Sequence, residues 1–390
     1  MKIGVAGAGI GGLAAASLLA QDGHAVTVFD QFGAPRPVGS GLVMQPVGLE
    51  VLDRIGAGDA LRRLGQPLHR MFGQEARTGR VVLDVAYGRG ADRKGIGIHR
   101  AALFHLLYRA AEGAGARIAA AHRVTGRDGR NLLFETGRAG PFDLIVDACG
   151  AHSPLSPLRS RPLPYGAVWA TVPWPADSAL RVDRLSQRYR RADRMLGVLP
   201  VGAMPDQPTR RLAAIFYSLP VAGFGAWRAT QFEAWQREAV TLWPDFAPFL
   251  AGVMGHGDFT FASYSQGQMA HPWDSGLAHI GDAAHRASPQ LGQGANMALL
   301  DARALQLALR RARGDEALRL YAGARRWHVL AYQMLSAAFT PQYQSDSRAL
   351  PVLRDHVLAP LSRIWPASRV LTRLVCGDLV PPMPALMVPR

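Results

Sequence analysis

The sequence predicts an α/β fold, with a discontinuous α/β domain, an inserted β-rich domain and a helical C-terminal segment. Three observations predict it. An apolar strand, a Gly-rich turn, an Ala/Leu helix and a second strand succeed one another within residues 3–30, the order and length of a βαβ crossover unit. Residues 160–265 change character, holding most of the tryptophans, many prolines and several alternating runs. From Tyr321 to Arg373 the pattern reads as mostly helical, broken at Pro341, Pro351, Pro360 and Pro366.

In order along the chain, Ile3 to Ala6 read as a strand, Gly7 to Gly12 as a tight turn and Leu13 to Gln21 as a helix that Gly23 ends. Ala25 to Phe29 form a second strand, closing at Asp30. Gly33 to Gly41 form a loop. Leu49 to Ile55 have helical spacing, Val81 to Val85 read as a strand and Arg100 to Ala114 as a helix. Asn131 to Glu135 and Leu144 to Val146 follow as strands. In the β-rich part, Leu196 to Val201 and Leu212 to Leu219 are strands and Phe232 to Leu242 a helix. Leu277 to Ile280 form a strand and Ala295 to Arg311 a long helix. The domain reading is 1–75, 95–160 and 265–330 for the α/β domain, 76–94 and 161–264 for the β-rich domain, and 331–390 for the helical segment.

The 390 residues are 48% hydrophobic and 19% charged, an ordinary globular composition. No run reaches the roughly 18 apolar residues of a transmembrane span. Glycines interrupt the N-terminal apolar run, so it reads as a strand and turn and not as a leader. The formal net charge is +15, and Lys2 and Lys94 are the only lysines. The arginines are scattered and not interleaved with aromatics, so no nucleic-acid platform is read from them; the field favours anionic small ligands. Two cysteines, Cys149 and Cys376, fit a reducing cytoplasm and exclude a disulfide framework or thiolate metal cluster.

Two motifs carry chemistry. Gly7-Ala8-Gly9-Ile10-Gly11-Gly12 is a G-x-G-x-x-G between a strand and a helix. Gly7 permits the turn, Gly9 lets the backbone approach a pyrophosphate, and Gly12 allows close helix–strand packing. The helix beginning near Gly11 directs free N–H groups and its positive end at phosphates. Asp30, about 20 residues on, can bind ribose hydroxyls. The motif alone does not separate FAD from NAD; its N-terminal position favours FAD. The second motif, Gly281-Asp282-Ala283-Ala284-His285 followed by Pro289-Gln290-Leu291-Gly292-Gln293-Gly294-Ala295-Asn296, lies between an apolar strand and a helix. Asp282 can accept from a ribityl hydroxyl. The Gly292–Gly294 turn leaves N–H donors at a helix start, suited to negative charge on a flavin N1–C2=O edge.

These two motifs, in this order, resemble those of the FAD-dependent aromatic hydroxylases, over roughly residues 1–330. The resemblance implies a Rossmann-like FAD-binding domain with an inserted substrate domain. It implies FAD, NAD(P)H as co-substrate, O2, and a flavin C4a-hydroperoxide that transfers one oxygen atom to a small, aromatic or otherwise electron-rich substrate. By the same resemblance Gly7, Gly9, Ile10, Gly11 and Gly12 line the pyrophosphate and Asp30 holds the ribose. Asp282 holds the pyrophosphate–ribityl region, and Gly292, Gly294, Ala295 and Asn296 line the isoalloxazine. Arg100 opens a helix resembling the family's R-x-x-L helix and either pairs with FAD phosphates or is solvated. Val124 holds the adenine edge through its backbone or is a core valine. Gly39-Ser40-Gly41 shapes a flavin-approaching loop or an ordinary turn.

The segment Asp143 to Ser153 departs from the family: Cys149 stands where an Asp linked to NAD(P)H use is expected, with Asp147 a possible neighbouring substitute. Cys149 reads as a small buried hydrophobe, since no nearby base is evident. His285 reads as structural. Trp169, Tyr189, Phe216 and Tyr217 receive no role, because strand aromatics are more often core. A flavin-dependent halogenase is a competing reading, but Trp169 to Trp174 do not match its W-x-W-x-I-P motif. A non-catalytic flavin-binding protein is another, resting on Cys149. The catalytic base and the oligomeric state stay open.

Overall fold

The computed structural model describes residues 1–33, 40–88 and 93–387; Gly39 lies outside them. The first sheet has the strand order Trp273–Asp274, Leu277–His279, Leu144–Asp147, Lys2–Ala6, Ala25–Phe29, Arg117–Ala119. All neighbours are parallel except the first pair. The two-residue period of Lys2–Ala6 divides its side chains. Ile3 and Val5 join the helices Ile10–Gln21, Arg100–Gly113 and Gly294–Arg311 in one core, while Ala6 packs with Phe29, Val124 and Phe142 on the other face. A three-stranded meander, Val124–Asp128, Asn131–Phe134 and Arg138–Ala139, covers that second face.

The second sheet has eight strands, ordered His285–Arg286, Thr260–Gln268, Arg161–Pro173, Gln207–Pro220, Arg194–Met204, Arg184–Arg190, Arg70–Glu75, Val81–Ala86. The chain therefore enters this sheet at Arg70, ahead of the boundary read at residue 75, and touches it last at the short edge strand His285–Arg286. The strand Arg70–Glu75 is too mixed in polarity for its partner to be read locally. One face of the sheet meets short helices through Trp227, Trp235, Trp243, Phe246 and Phe249. The other face, with Leu199, Val201 and Ala214, meets Val43 and the C-terminal residues Val375 and Cys376.

A small antiparallel sheet of Gly41–Met44, Gly95–His99 and Gln66–Leu68 forms the seam between the two large ones. Here backbones come within van der Waals contact: a Cβ on Gly97 would stand 2.0 Å from the Pro200 carbonyl, and one on Gly41 2.3 Å from Val201. The C-terminal region is helical, as expected, but not broken at Pro341, and Pro351 and Pro360 also lie inside one uninterrupted helical run, 349–362. One helix runs from Gly314 to Tyr343 with Pro341 inside its last turn. Only two residues follow the proline there, so the lost N–H and the ring clash fall where the helix ends anyway. This helix also runs straight through the boundary read at residue 331.

Candidate FAD site

The Gly-rich turn is shaped by contacts that only glycine allows. Gly7 has φ +99°, and a Cβ on it would lie 2.5 Å from the Ala148 carbonyl. A Cβ on Gly12 would lie 2.0 Å from the Gly7 carbonyl, so strand and helix meet backbone to backbone. Gly11 abuts Ala298 and Ile280. Gly9 caps the helix that starts at Ile10, and its nearest neighbour to a new Cβ is 4.0 Å away, so nothing among the described residues demands a glycine there. Asp30 stands at the same turn. Its carboxylate accepts from the backbone N–H of Ala8 at 2.8 Å and of Phe32 at 3.0 Å. Val124 is buried in the cluster that contains Phe29.

The second motif stands at the end of the Leu277–His279 strand, one strand removed from Lys2–Ala6 across Leu144–Asp147. Asp282 lies on the turn Gly281–Ala283 with its side chain exposed. The turn is fixed from beneath, where the Gly281 N–H donates to Asp301 at 2.9 Å. Asp301 also bonds His285 at 2.6 Å and accepts from Arg325 at 2.7 Å, all three buried. Burial opposes the Asp301 charge, but His285 and Arg325 outweigh it and hold the carboxyl well below its usual range. His285 is thus a structural member of the motif. Arg325 reaches on to His328, whose Nε2 bonds the Gly377 carbonyl at 2.9 Å; burial, then Arg325, push the His328 pKa down to about 3.

Gly292 has φ +61°, and the helix Gly294–Arg311 follows it. Its first-turn N–H groups, from Gly294 and Ala295, have no intrahelical acceptor. Asn296 is buried, and its side chain clamps two loops. Its oxygen accepts from the Gln45 N–H at 2.9 Å, and its nitrogen donates to the carbonyls of Val43 at 3.2 Å and Gly292 at 3.0 Å. Gln293 donates to the Val375 carbonyl at 2.9 Å. The Gly292 turn is thereby tied both to the Gly41–Met44 strand and to the C-terminal helix Ala367–Cys376.

Sequence reading did not single out Gln45, Gln293 or Tyr87. The Gln293 oxygen has no hydrogen-bond partner among the described residues, and the buried Gln45 amide has only the Tyr87 hydroxyl facing it, outside ideal hydrogen-bond geometry; the Gln45 nitrogen would lie 3.3 Å from a Cβ on Gly292. Such amides beside an open turn fit the alternating carbonyl and N–H edge of an isoalloxazine, just as the turn at Gly9 fits a pyrophosphate. No sequence signal marks Gln45; Gln293 at least lies inside a recognised motif.

Arg100 begins the helix Arg100–Gly113; its side chain is exposed and has no partner among the described residues. Its backbone N–H donates to the Ser40 carbonyl at 2.9 Å. Asp147 does not substitute for the family's Asp. It is wholly buried and consumed by Ser153 at 2.7 Å, His279 at 2.7 Å and the Cys149 N–H at 3.1 Å. Burial, then Asp147, push the Cys149 thiol well above its ordinary value, so it is no thiolate.

Two glycine turns at the same edge of one sheet, on parallel strands separated by Leu144–Asp147, one capped by an acid and the other by a clamped helix start, define a dinucleotide-binding flavoprotein. The family model described as FAD binding domain matches residues 1–132 and 262–333. The chain belongs to that family, the FAD-dependent aromatic hydroxylases, and is an FAD-dependent monooxygenase of that type. It is 27% identical over 346 residues to the FAD-dependent urate hydroxylase of Klebsiella pneumoniae, covering 83% of this chain and 86% of that one. It is 28% identical over 376 residues to a probable 2-heptyl-3-hydroxy-4(1H)-quinolone synthase of Rhodococcus erythropolis, covering 92% and 91%. In fold it is similar to Klebsiella pneumoniae HpxO solved with FAD and uric acid, with TM-score 0.81, 21% identity and coverage of 99% and 98%. The likeness to 2-methyl-3-hydroxypyridine-5-carboxylic acid oxygenase has TM-score 0.78, 21% identity and coverage of 95% and 96%.

Proposed function

We propose that the protein inserts one oxygen atom from O2 into a small, electron-rich aromatic or heteroaromatic substrate, with NAD(P)H as the reductant. The observation that carries this reading is the Asn296 clamp, which sets a dipole-bearing helix start beside the Gln45 and Gln293 amides, at the same edge of the sheet as the Gly7–Gly12 turn. Bound FAD, once reduced, supplies the oxygen-activating chemistry. The residues do the rest. The turn at Gly9, Ile10 and Gly11 would receive the pyrophosphate. Asp30 would exchange its backbone donors for ribose hydroxyls. Arg100 would pair with phosphate, the Val124 backbone would meet the adenine, and Asp282 would meet the pyrophosphate–ribityl region. Gly292, Gly294, Ala295 and Asn296 would border the isoalloxazine, with Gly41 in the loop that approaches it. The helix dipole at Gly294 would stabilise negative charge there.

The substrate would lie between the Gly292 turn and the sheet face that carries Trp169 and Phe216, whose rings are 4.5 Å apart. Trp169 donates to the Tyr264 hydroxyl at 3.1 Å, and burial pushes the Tyr264 pKa up to about 12. That phenol stays neutral and can orient a ring oxygen or nitrogen. The apolar walls of Val43, Leu199 and Val201 would exclude water from the transfer. Several relatives' names carry nitrogen heterocycles, urate and quinolone among them, which supports a heteroaromatic substrate. Two separate free cysteines support a cytoplasmic location. The test is O2 uptake and NAD(P)H oxidation by FAD-loaded protein with a panel of hydroxylated heterocycles. Stimulation by at least one, with hydroxylated product, is expected. NAD(P)H oxidation untouched by every compound, with no product, defeats the reading.

A further inference from the structure

The C-terminal helices present a surface that nothing among the described residues covers. Of the large apolar side chains exposed among the described residues, seven fall within residues 352–370. Leu353, Val357, Leu361 and Ile364 recur at spacings of four, four and three, which lines them along one side of the continuous helical run 349–362 and just past its end. Trp365 extends the stripe and is 74% exposed. The opposite side of the run is fixed inward. Arg354 and Asp355 are buried and joined at 2.6 Å, and the Arg354 guanidinium lies over the Tyr189 and Tyr343 rings. The stripe is therefore held outward by the fold.

Its surroundings are basic. Residues 348–373 contain five arginines and one acid, Asp355, which Arg354 already holds. Beside the stripe is a cleft of about 410 Å³ lined by Arg80, Val81, Asp355, His356, Pro360 and Arg363. Arg80 approaches the His356 ring at 2.7 Å with one guanidinium nitrogen, and Arg363 donates to the Val81 carbonyl at 2.9 Å with another. Their remaining N–H groups have no acceptor among the described residues.

We propose that this face docks on an anionic phospholipid bilayer. Leu361, Ile364 and Trp365 enter the boundary between headgroups and acyl chains, and Arg80 and Arg363 take a lipid phosphate in the cleft. An apolar stripe with an aromatic at its rim, flanked by arginines and without a free carboxylate, is the pattern that lies in an anionic interface. A second copy of the chain fits worse, because pairing the stripe with itself brings the arginines of both copies together. No helix among the described residues is long and apolar enough to cross a membrane, so the attachment is to one leaflet. It brings lipid-dissolved aromatic molecules within reach of the enzyme.

Flotation of the full-length FAD-loaded protein with vesicles tests this. Binding is expected to vesicles of phosphatidylcholine with added phosphatidylglycerol, to weaken with salt, and to be slight with phosphatidylcholine alone. The variant Ile364→Ser/Trp365→Ser should lose about tenfold in vesicle affinity, and Arg80→Gln/Arg363→Gln about twenty-five-fold, at about fivefold per arginine. Both should keep the parent's melting temperature, since the substituted side chains lie at the surface. Failure of the parent to float with phosphatidylglycerol vesicles at low salt overturns the proposal. So does full binding by either variant. Two other outcomes also overturn it: a dimer in sedimentation that Ile364→Ser/Trp365→Ser dissociates while vesicles stay unbound, or calorimetric binding of inorganic phosphate with no vesicle association.

Discussion

The side-chain oxygen of Asn296 accepts a hydrogen bond from the Gln45 N–H at 2.9 Å, joining residues 251 apart in the chain. Gly48 lies against the same atom: a Cβ there would stand 2.2 Å from it. Replacing Asn296 by Ala strands the Gln45 N–H and the Val43 carbonyl in a buried site, at about 1–3 kcal/mol for each unsatisfied group. Asn296→Ala should therefore melt several degrees lower and bind FAD at least tenfold more weakly by fluorescence titration. Unchanged FAD affinity would separate the clamp from the cofactor site.

Gly9 and Gly12 make a discriminating pair. A Cβ at position 12 collides with the Gly7 carbonyl, whereas one at position 9 meets nothing closer than 4.0 Å. Gly12→Ala should lower the stability of the whole domain. Gly9→Ala should keep the parent's apoprotein melting temperature yet lose most of its yellow colour on purification. A fully FAD-loaded Gly9→Ala protein contradicts the role given to that turn.

Removing the charge of Asp301 leaves Arg325 buried without its partner. Asp301→Asn should cost about 3–5 kcal/mol in urea denaturation. The double variant Asp301→Asn/Arg325→Met should recover part of that loss, and the recovered fraction measures the pair's coupling.

His328 ties stability to pH. Its folded pKa is depressed to about 3 from an ordinary 6.5, so between those values the unfolded chain binds the extra proton. Stability is then full above pH 6.5 and falls as the pH drops towards 3, by up to about 1.4 kcal/mol per pH unit from this group. Asp301, also depressed, adds to the loss only below its unfolded value of 3.8. Denaturation midpoints between pH 7 and 5 should slope downward, and His328→Gln should flatten that slope.

Cys149 touches the FAD side of the fold but stays protonated. Cys149→Ala should leave NAD(P)H oxidation within about twofold. Cys149→Asp should destabilise by about 1–3 kcal/mol, because Asp147 and Asp30 already act on that position. A large gain of NAD(P)H oxidation in Cys149→Asp would overturn this and revive the family's Asp as a missing part.

The Gly-rich turn and the Gly292 motif were legible because each is local, with strand, glycine spacing and helix adjacent in sequence. Helix and strand spans were also close, down to Phe232–Leu242, whose bounds match. What was not legible are partners brought from afar. Asn296 meets Gln45, Asp301 meets Arg325 and Gln293 meets Val375 only through the fold, and no local pattern encodes those pairings. The reading of Asp147 as a substitute for the family's Asp failed for the same reason: His279, 132 residues away, holds it. Pro341 was read as a helix breaker because a proline carries no mark of how near the helix end it falls.

The Gln293 bond to Val375, and the seat of Gly377 against Val47 at a spacing no side chain could share, give the molecule an order of assembly. The N-terminal nucleotide turn can form early in synthesis. The Gly292 turn cannot gain its C-terminal support until residues 375 to 377 have left the ribosome, so the two glycine motifs are completed at different times in the life of each chain.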